Sequence, residues 1–319
     1  MYRVLVTGAT GFIGKGLCKR IVAEGWTVRG SVRSENQAHL LPREAEYVQI
    51  DSIGPDTDWT NALTDVETVI HLAGRAHIIK DTSFGSLSEY RVVNTAGTER
   101  LARFAASKGV RRFVFMSTVK VNGEGRASAY TEKDIPNPSD SYGISKWEAE
   151  KILKIIADQT GMEVVVIRAP IVYGPEVKAN FLRLLRAVDQ GIFLPFARIN
   201  NKRSMIYLNN LVDVIMTCLT HPKANGTYFV RDNKDMSTPE LIRLLAMALG
   251  KPERLFYLPL SLLNLGGWMT GNSKAIDTLT GSLTVDSSKI KRELGWEPFF
   301  SVEEGIMETV RYYKKECAA

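Results

Sequence analysis

A phenol and an amine that could move a proton together stand four residues apart in Tyr142-Gly-Ile-Ser-Lys146. That spacing puts both on one face of a helix, one turn apart. A free tyrosine ionises near pH ~10 and shuttles protons poorly at neutrality. An ammonium beside it stabilises the phenolate and brings that value down. Such pairs also arise by chance on exposed helices. What gives this one weight is Phe115-Met-Ser-Thr118, which closes a strand-like run. A Thr118 hydroxyl there can hydrogen-bond the carbonyl or alkoxide oxygen that Tyr142 protonates or deprotonates.

The N-terminus supplies a place for an electron carrier. An apolar run of strand length (2–6) meets Gly8, Gly11 and Gly14, with Thr10, Phe12 and Ile13 between them. Ile13, Leu17, Ile21 and Val22 then recur at helical spacing. In such a turn the glycines allow a sharp reversal, close approach of backbone to a pyrophosphate, and tight strand–helix packing. The free N–H groups of the following helix face the anion. The second strand ends Val28-Arg-Gly-Ser-Val-Arg-Ser34, so Arg33 stands where a ribose-binding carboxylate is expected. A guanidinium there, with Ser31 or Ser34 as donors, suits a 2′-phosphate, which favours NADP(H) and leaves NAD(H) possible. Asp51 and Ser52, at the end of the third strand, are placed for the adenine side.

The elements that must position these groups follow a regular rhythm. Strand-like runs at 27–32, 46–50, 68–72, 112–117 and 163–169 alternate with amphipathic stretches, most clearly 87–107 and 141–160. The alternation predicts an α/β fold, a doubly wound parallel sheet with ligands at the carboxyl ends of its strands. After Pro170 helices dominate, at about 180–190 and 210–221, with a strand at 227–230. Thr238-Pro239-Glu240 and Ser301-x-x-Glu304 open two more helices. The expected division is a dinucleotide-binding domain of 1–170 plus about 207–232, and a smaller, mostly helical substrate lobe of about 171–206 plus 233–319.

Composition narrows the function class. The 319 residues carry a formal net charge of +6, with 45% hydrophobic and 24% charged residues. No basic–aromatic stripe marks a nucleic-acid channel. Cys18, Cys218 and Cys317 are too dispersed for a disulfide scaffold or a zinc site, which fits a cytoplasmic protein. The most apolar segment, 255–269, is too short to span a bilayer and is expected in the core or against a membrane surface or partner.

These motifs resemble extended short-chain dehydrogenases/reductases of the NAD-dependent epimerase/dehydratase type. The likeness runs through Thr7-Gly-Ala-Thr-Gly-Phe-Ile-Gly14, His71-Leu-Ala-Gly74, Asn94-x-x-Gly-Thr98, Ser117-Thr118, Tyr142-x-x-x-Lys146, Arg168-x-Pro-x-Val-Tyr-Gly-Pro175 and Leu294-Gly-Trp-x-Pro298. It implies Thr118 as substrate-orienting hydroxyl, Tyr142 as acid/base, and Lys146 as the group that lowers the tyrosine pKa and bonds the nicotinamide ribose. It places Leu72, Ala73, Gly74, Asn94, Met116, Ser117, Pro170 and Val172 on the cofactor. His77, Asn180 and Arg203 fall to a nucleotide-sugar substrate. A homodimer through 87–107 and 141–160 is the implied assembly.

Departures from the family pattern order the activities. Val121-Asn-Gly123 replaces the Val-Tyr-Gly of sugar epimerases, and Val119-Lys120 replaces the Asp-Glu pair of dehydratases. With Arg33, this puts 4-keto reduction of a UDP-linked sugar by NADPH first. A UDP-hexose (glucose or N-acetylglucosamine) 4-epimerase with tightly held NAD is second, and a non-catalytic dinucleotide sensor third.

Overall fold

The apolar runs of the first half form strands because each has a helix or turn to carry the chain back over the sheet. In the computed structural model, which describes residues 2–76, 85–126, 128–271 and 273–318, the order begins β1 (Arg3–Thr7), α1 (Phe12–Ala23), β2 (Thr27–Val32), β3 (Glu46–Gln49) and β4 (Thr68–His71). It continues α2 (Gly85–Tyr90), α3 (Gly97–Ser107), β5 (Arg112–Thr118), α4 (Ser141–Thr160), β6 (Glu163–Ala169), β7 (Ile171–Tyr173) and α5 (Ala179–Asp189). Then come β8 (Met205–Tyr207), α6 (Leu208–Thr220), β9 (Gly226–Phe229), α7 (Thr238–Leu249), α8 (Leu260–Met269), α9 (Ser273–Thr280), α10 (Ser288–Leu294) and α11 (Val302–Ala318).

Seven strands make one parallel sheet in the order β3-β2-β1-β4-β5-β6-β9. Winding reverses between β1 and β4, so the crevice above their carboxyl ends is the ligand position of such a sheet. Alternate residues face opposite cores. Val4, Val6, Val114, Val165 and Ile167 pack with α1 and α6 through Leu17, Ile21, Leu211 and Ile215. Leu5, Val69, Phe113, Phe115 and Val166 pack with α3 and α4 through Leu101, Ala105, Ala149 and Leu153. Every residue of β4 and β5 is buried, as expected of central strands covered on both faces.

Three details depart from the sequence reading. The stretch 87–107 is not one α-helix: a π-helical segment (Arg91–Ala96) joins α2 to α3, with Asn94 buried in it. The cap of α7 is Ser237 rather than Thr238, in a reciprocal pair with Glu240. Residues 255–269 are not core; α8 buries only Leu263 and Gly267. No described helix is long and apolar enough to cross a membrane.

A second, two-stranded sheet, β7 with β8, carries the chain out of the large sheet. Asp232 secures it, accepting from Tyr173 Oη at 2.7 Å, the Tyr207 backbone N–H and Asn210 Nδ2 at 2.8 Å. Helix α11 lies on this pair because Gly305 has no side chain. A Cβ there would sit 2.8 Å from Tyr173 Oη and 2.9 Å from Tyr207 Cγ. Gly305→Val should therefore destabilise the fold by about 1–3 kcal/mol through overpacking. Chemical denaturation measures it, and an unchanged midpoint would mean that α11 is held elsewhere.

Candidate active site

Thr118 ends β5 and Tyr142 lies in the first turn of α4, so the distance between them depends on how the intervening loop docks. A 3-10 turn (Val119–Asn122) follows Thr118, whose Oγ1 accepts from the Lys120 N–H at 3.3 Å. The turn presses on α4 at Gly143, where a Cβ would stand 2.8 Å from the Lys120 carbonyl oxygen. Asp140 caps the helix, accepting from the Gly143 N–H at 2.7 Å, and receives the Lys120 ammonium at 2.6 Å. One loop thus fixes both the hydroxyl and the start of the tyrosine helix. The Tyr142 ring packs on Tyr90 of α2, centroids 6.2 Å apart.

Lys146 is buried below Tyr142 on the same helix face. Its Nζ donates to the Met116 carbonyl at 2.9 Å and lies 4.4 Å from the centroid of Phe115. A Cβ on Gly74 would stand 3.3 Å from that Nζ and 3.1 Å from Asn94 Oδ1. Gly74, Asn94, Met116 and Lys146 therefore meet where β4 and β5 end. Asn94 holds the neighbouring backbone, accepting from the Arg75 N–H at 2.8 Å and donating to the Arg75 carbonyl and Ser145 Oγ, each at 3.0 Å. His71 ties Thr7 to Thr98 across this floor. Burial, with the Lys146 charge second, pushes its imidazole down to about 3, so it is neutral.

The electrostatics differ from the simple expectation for Tyr142 and Lys146. Burial, with Asp140 and Tyr90 adding to it, pushes the Tyr142 phenol up rather than down. Burial likewise pulls Lys146 down to about 8, opposed by the Glu150 carboxylate. Desolvation disfavours both charged forms, and the amine is drawn to a main-chain carbonyl and an aromatic face.

The glycine loop fits a dinucleotide. A Cβ on Gly14 would overlap the Gly8 carbonyl oxygen, and one on Gly8 (φ 69°) would lie 2.9 Å from the Ala73 nitrogen. Gly11 caps α1 with no side-chain bond, and the first turn, including Phe12 and Ile13, has no acidic residue. The N–H groups there are left for an anion. Thr10 sits half-buried in the turn and Leu72 and Ala73 stand opposite. At the end of β2, Ser31 is buried while Arg33 and Ser34 are exposed; the Arg33 N–H donates to Gln37 Oε1 at 3.3 Å. Asp51 and Ser52 are exposed beyond β3, with Asp51 accepting from Gln49 Nε2 at 2.6 Å.

Pro170 and Val172, expected on the cofactor, mark the exit from β6 into β7. Asn180 is exposed in the first turn of α5, after a loop in which Glu176 and Ala179 take left-handed backbone conformations. Arg203, expected on the substrate, forms no ion pair among the described residues. Its Nη1 donates to the Thr278 and Gly281 carbonyls at 2.8 and 3.0 Å, while Nε is buried with no partner among the described residues. His77 lies outside the described residues. No group of three potential ligands could hold a metal among the described residues.

Sequence reasoning passed over a buried network beneath the strand ends. Glu150, one turn beyond Lys146, receives Arg168 Nε at 3.1 and 3.2 Å and Nη2 at 2.5 Å, and accepts from Ser117 Oγ. Arg168 Nη1 donates to Asn122 Oδ1 at 2.9 Å, and its guanidinium lies over the Trp147 and Phe229 rings. Extending the Tyr142–Lys146 helix face by four residues points to Glu150. Ser117 is thus turned toward this network.

Residues 4–230 match the model of the NAD dependent epimerase/dehydratase family. The chain is 43% identical over 316 residues to a UDP-glucose 4-epimerase of Vibrio cholerae, covering 97% of this chain and 95% of that protein. It is similar in structure to the UDP-glucose 4-epimerase of Thermotoga maritima solved with UDP-glucose, at a TM-score of 0.80 and 25% identity over 99% of both chains. The fold is shared with a Bacillus cereus UDP-glucuronic acid 4-epimerase in complex with NAD, at a TM-score of 0.79 and 22% identity, over 98% of this chain and 99% of that one.

The buried pair and the amine make a joint prediction. Glu150→Gln keeps the shape but strands the Arg168 charge, a loss of about 3–5 kcal/mol in unfolding free energy. It also removes the charge that raises Lys146, so the amine, cationic below about 8, should lose its proton at a lower pH. An NMR titration of the Lys146 ammonium reads this, and an unmoved midpoint would show that the Glu150 field does not reach it.

Proposed function

The chain belongs to the NAD dependent epimerase/dehydratase family, and on that premise we propose that it inverts C4 of a UDP-linked hexose. The chain is an enzyme acting on nucleotide sugars, which removes the dinucleotide-sensor reading. The sequence reading ranked 4-keto reduction above epimerisation; the relatives reverse that order. The observation that carries the proposal is Lys146 of α4 set against the β4 and β5 strand ends, one helical turn from Tyr142 on the same helix.

The residues fit a bound nicotinamide dinucleotide. The Gly8–Gly14 turn and the open start of α1 suit its pyrophosphate, and Lys146, Gly74 and Asn94 suit the nicotinamide half. Bound there, a nicotinamide ring would supply the chemistry of accepting and returning a hydride at C4 of the sugar. Tyr142 Oη removes the proton from the C4 hydroxyl and gives it back after the keto sugar has turned its other face. Thr118 Oγ1 holds the same oxygen in line. Lys146, poised near neutrality, favours the Tyr142 phenolate when cationic. Asn180 and the unpaired Nε of Arg203 offer donors for the sugar diphosphate. The exposed Val92, in the π-helical segment before α3, and Ile155 of α4 support a homodimer through 87–107 and 141–160.

Arg33 supports a second reading, NADPH-dependent 4-keto reduction, because the end of β2 carries a guanidinium and no carboxylate. The two readings separate on the cofactor: an epimerase recycles a retained NAD, whereas a reductase must reload. Absorbance and mass spectrometry of the cofactor released from purified protein should find NAD; an empty protein that takes up NADPH favours reduction. In the same assay Arg33→Ala should leave NADH affinity within about twofold. A loss of tenfold or more for NADPH alone would mark Arg33 as a phosphate reader.

Tyr142→Phe should lower turnover by at least ~10²-fold, the scale of lost general acid–base catalysis, while cofactor binding stays near the parent value. Turnover at the parent rate would remove Tyr142 from the mechanism.

A further inference from the structure

We propose that the protein docks reversibly on an anionic membrane surface through α8 and the aromatic residues beside it. Residues 255–271 contain no charged side chain, yet most of α8 is in solvent: Leu260, Leu262 and Leu265 are about half exposed, and Trp268 and Met269 are 75% and 73% exposed. The patch continues onto a neighbouring strand-like segment. Backbone bonds from Leu194 to Arg254 and from Phe256 to Leu194 place 192–194 beside 254–257. This adds exposed Ile192, Phe193, Phe256 and Tyr257. A contiguous apolar surface of this kind on a soluble fold marks an interaction site.

Charge and chemistry select the occupant. Arg254 lies 5.2 Å from the Phe193 ring and Arg198 4.8 Å from the Tyr257 ring. Both are exposed, and among the described residues neither forms an ion pair. The adjacent carboxylate, Glu253, is taken by Arg243 at 3.0 Å. Among the described residues Arg254 donates a hydrogen bond only to the Gly191 carbonyl, at 2.9 Å. Apolar and tryptophan side chains flanked by arginines that have no ion pair among those residues match the boundary between acyl chains and anionic headgroups. A two-fold contact with a second copy would instead bring these arginines against one another. The ten residues of α8 reach ~15 Å, half of the ~30 Å hydrocarbon layer, so the helix lies in the surface and does not cross it.

The test uses the full chain and vesicles of phosphatidylcholine with and without phosphatidylglycerol. The parent should co-sediment with the anionic vesicles and release as salt rises. Leu265→Ser with Trp268→Ser should cut the partition coefficient at least ~10-fold, and Arg198→Ala or Arg254→Ala about fivefold each. Parent-like turnover of the serine variant on a soluble substrate confirms its fold, and the parent's salt release stands as a measurement that needs no variant. Three results would overturn the proposal: no capture by anionic vesicles, capture that ignores both pairs of substitutions, or a parent oligomer that the serine substitutions dissociate. The last would assign the face to a second copy.

Discussion

The buried ion pair between Glu150 and Arg168 is the constraint on which the rest of the site depends. Both side chains are only 4% exposed. An isolated charge so deep costs several kcal/mol in desolvation, so the pair persists only where nearly every polar atom is occupied. Here the carboxylate takes two guanidinium nitrogens and the Ser117 hydroxyl, and the third nitrogen goes to Asn122. These partners belong to α4, β6, the end of β5 and the turn after it. A shift of any one breaks bonds in the other three. The position of Thr118 relative to the start of α4 is thereby determined by charge burial, where apolar packing alone would permit sliding.

The same burial sets the reactivity of the surface above it. Tyr142 and Lys146 are both biased toward neutrality, one pushed up and the other pulled down. A pair in that state holds its proton on the phenol until an oxyanion or a cationic neighbour arrives. Glu150 counteracts the bias on Lys146 from one turn away, so the buried ion pair and the Tyr142–Lys146 pair share a field. Asp140 works in the opposite sense on Tyr142, and Lys120 offsets it by a direct contact. Balanced opposing charges of this sort suit a residue that must both take and give a proton.

Much of this was legible in the sequence, and the omissions have physical causes. Strand starts and ends agreed within a residue because central parallel strands are continuous apolar runs with glycine and proline at their borders. The glycine turn was legible because each glycine has a steric reason: Gly14 faces the Gly8 carbonyl, and Gly8 faces Ala73. The π-helical segment at 91–96 was not, since its cause is Asn94 reaching a backbone from another part of the chain. The direction of the Tyr142 shift was missed because desolvation depends on what covers the ring, Tyr90 among others, and spacing along one helix does not report cover. Arg203 was read as a free ligand; its partial use on the carboxyl end of α9 requires knowing that 278–281 returns to it. Leu255 to Met269 was assigned by default to the core, because hydropathy does not distinguish a buried helix from an unpartnered one.

That last misreading concerns how α8 is joined to α9. Helix α9 is fastened at its carboxyl end by Arg203 and by Asn201, whose Nδ2 donates to the Leu279 and Gly281 carbonyls at 3.2 and 3.0 Å. Its flank is fastened to α8 by the close fit of Gly267 against Ile276. Helix α8 is held inward by Leu263, buried in the cluster that also contains Val4, Val6 and Ile167, and by its fit on α9. Arg203 spends Nη1 on the carbonyls that close α9 and keeps Nε buried with no partner among the described residues. Hydrogen bonds to carbonyl oxygens hold a guanidinium less firmly than a carboxylate does, so Arg203 is held less firmly than Arg168. The two guanidinium groups thus differ in kind: Arg203 rests on neutral main-chain acceptors, and Arg168 on a buried carboxylate.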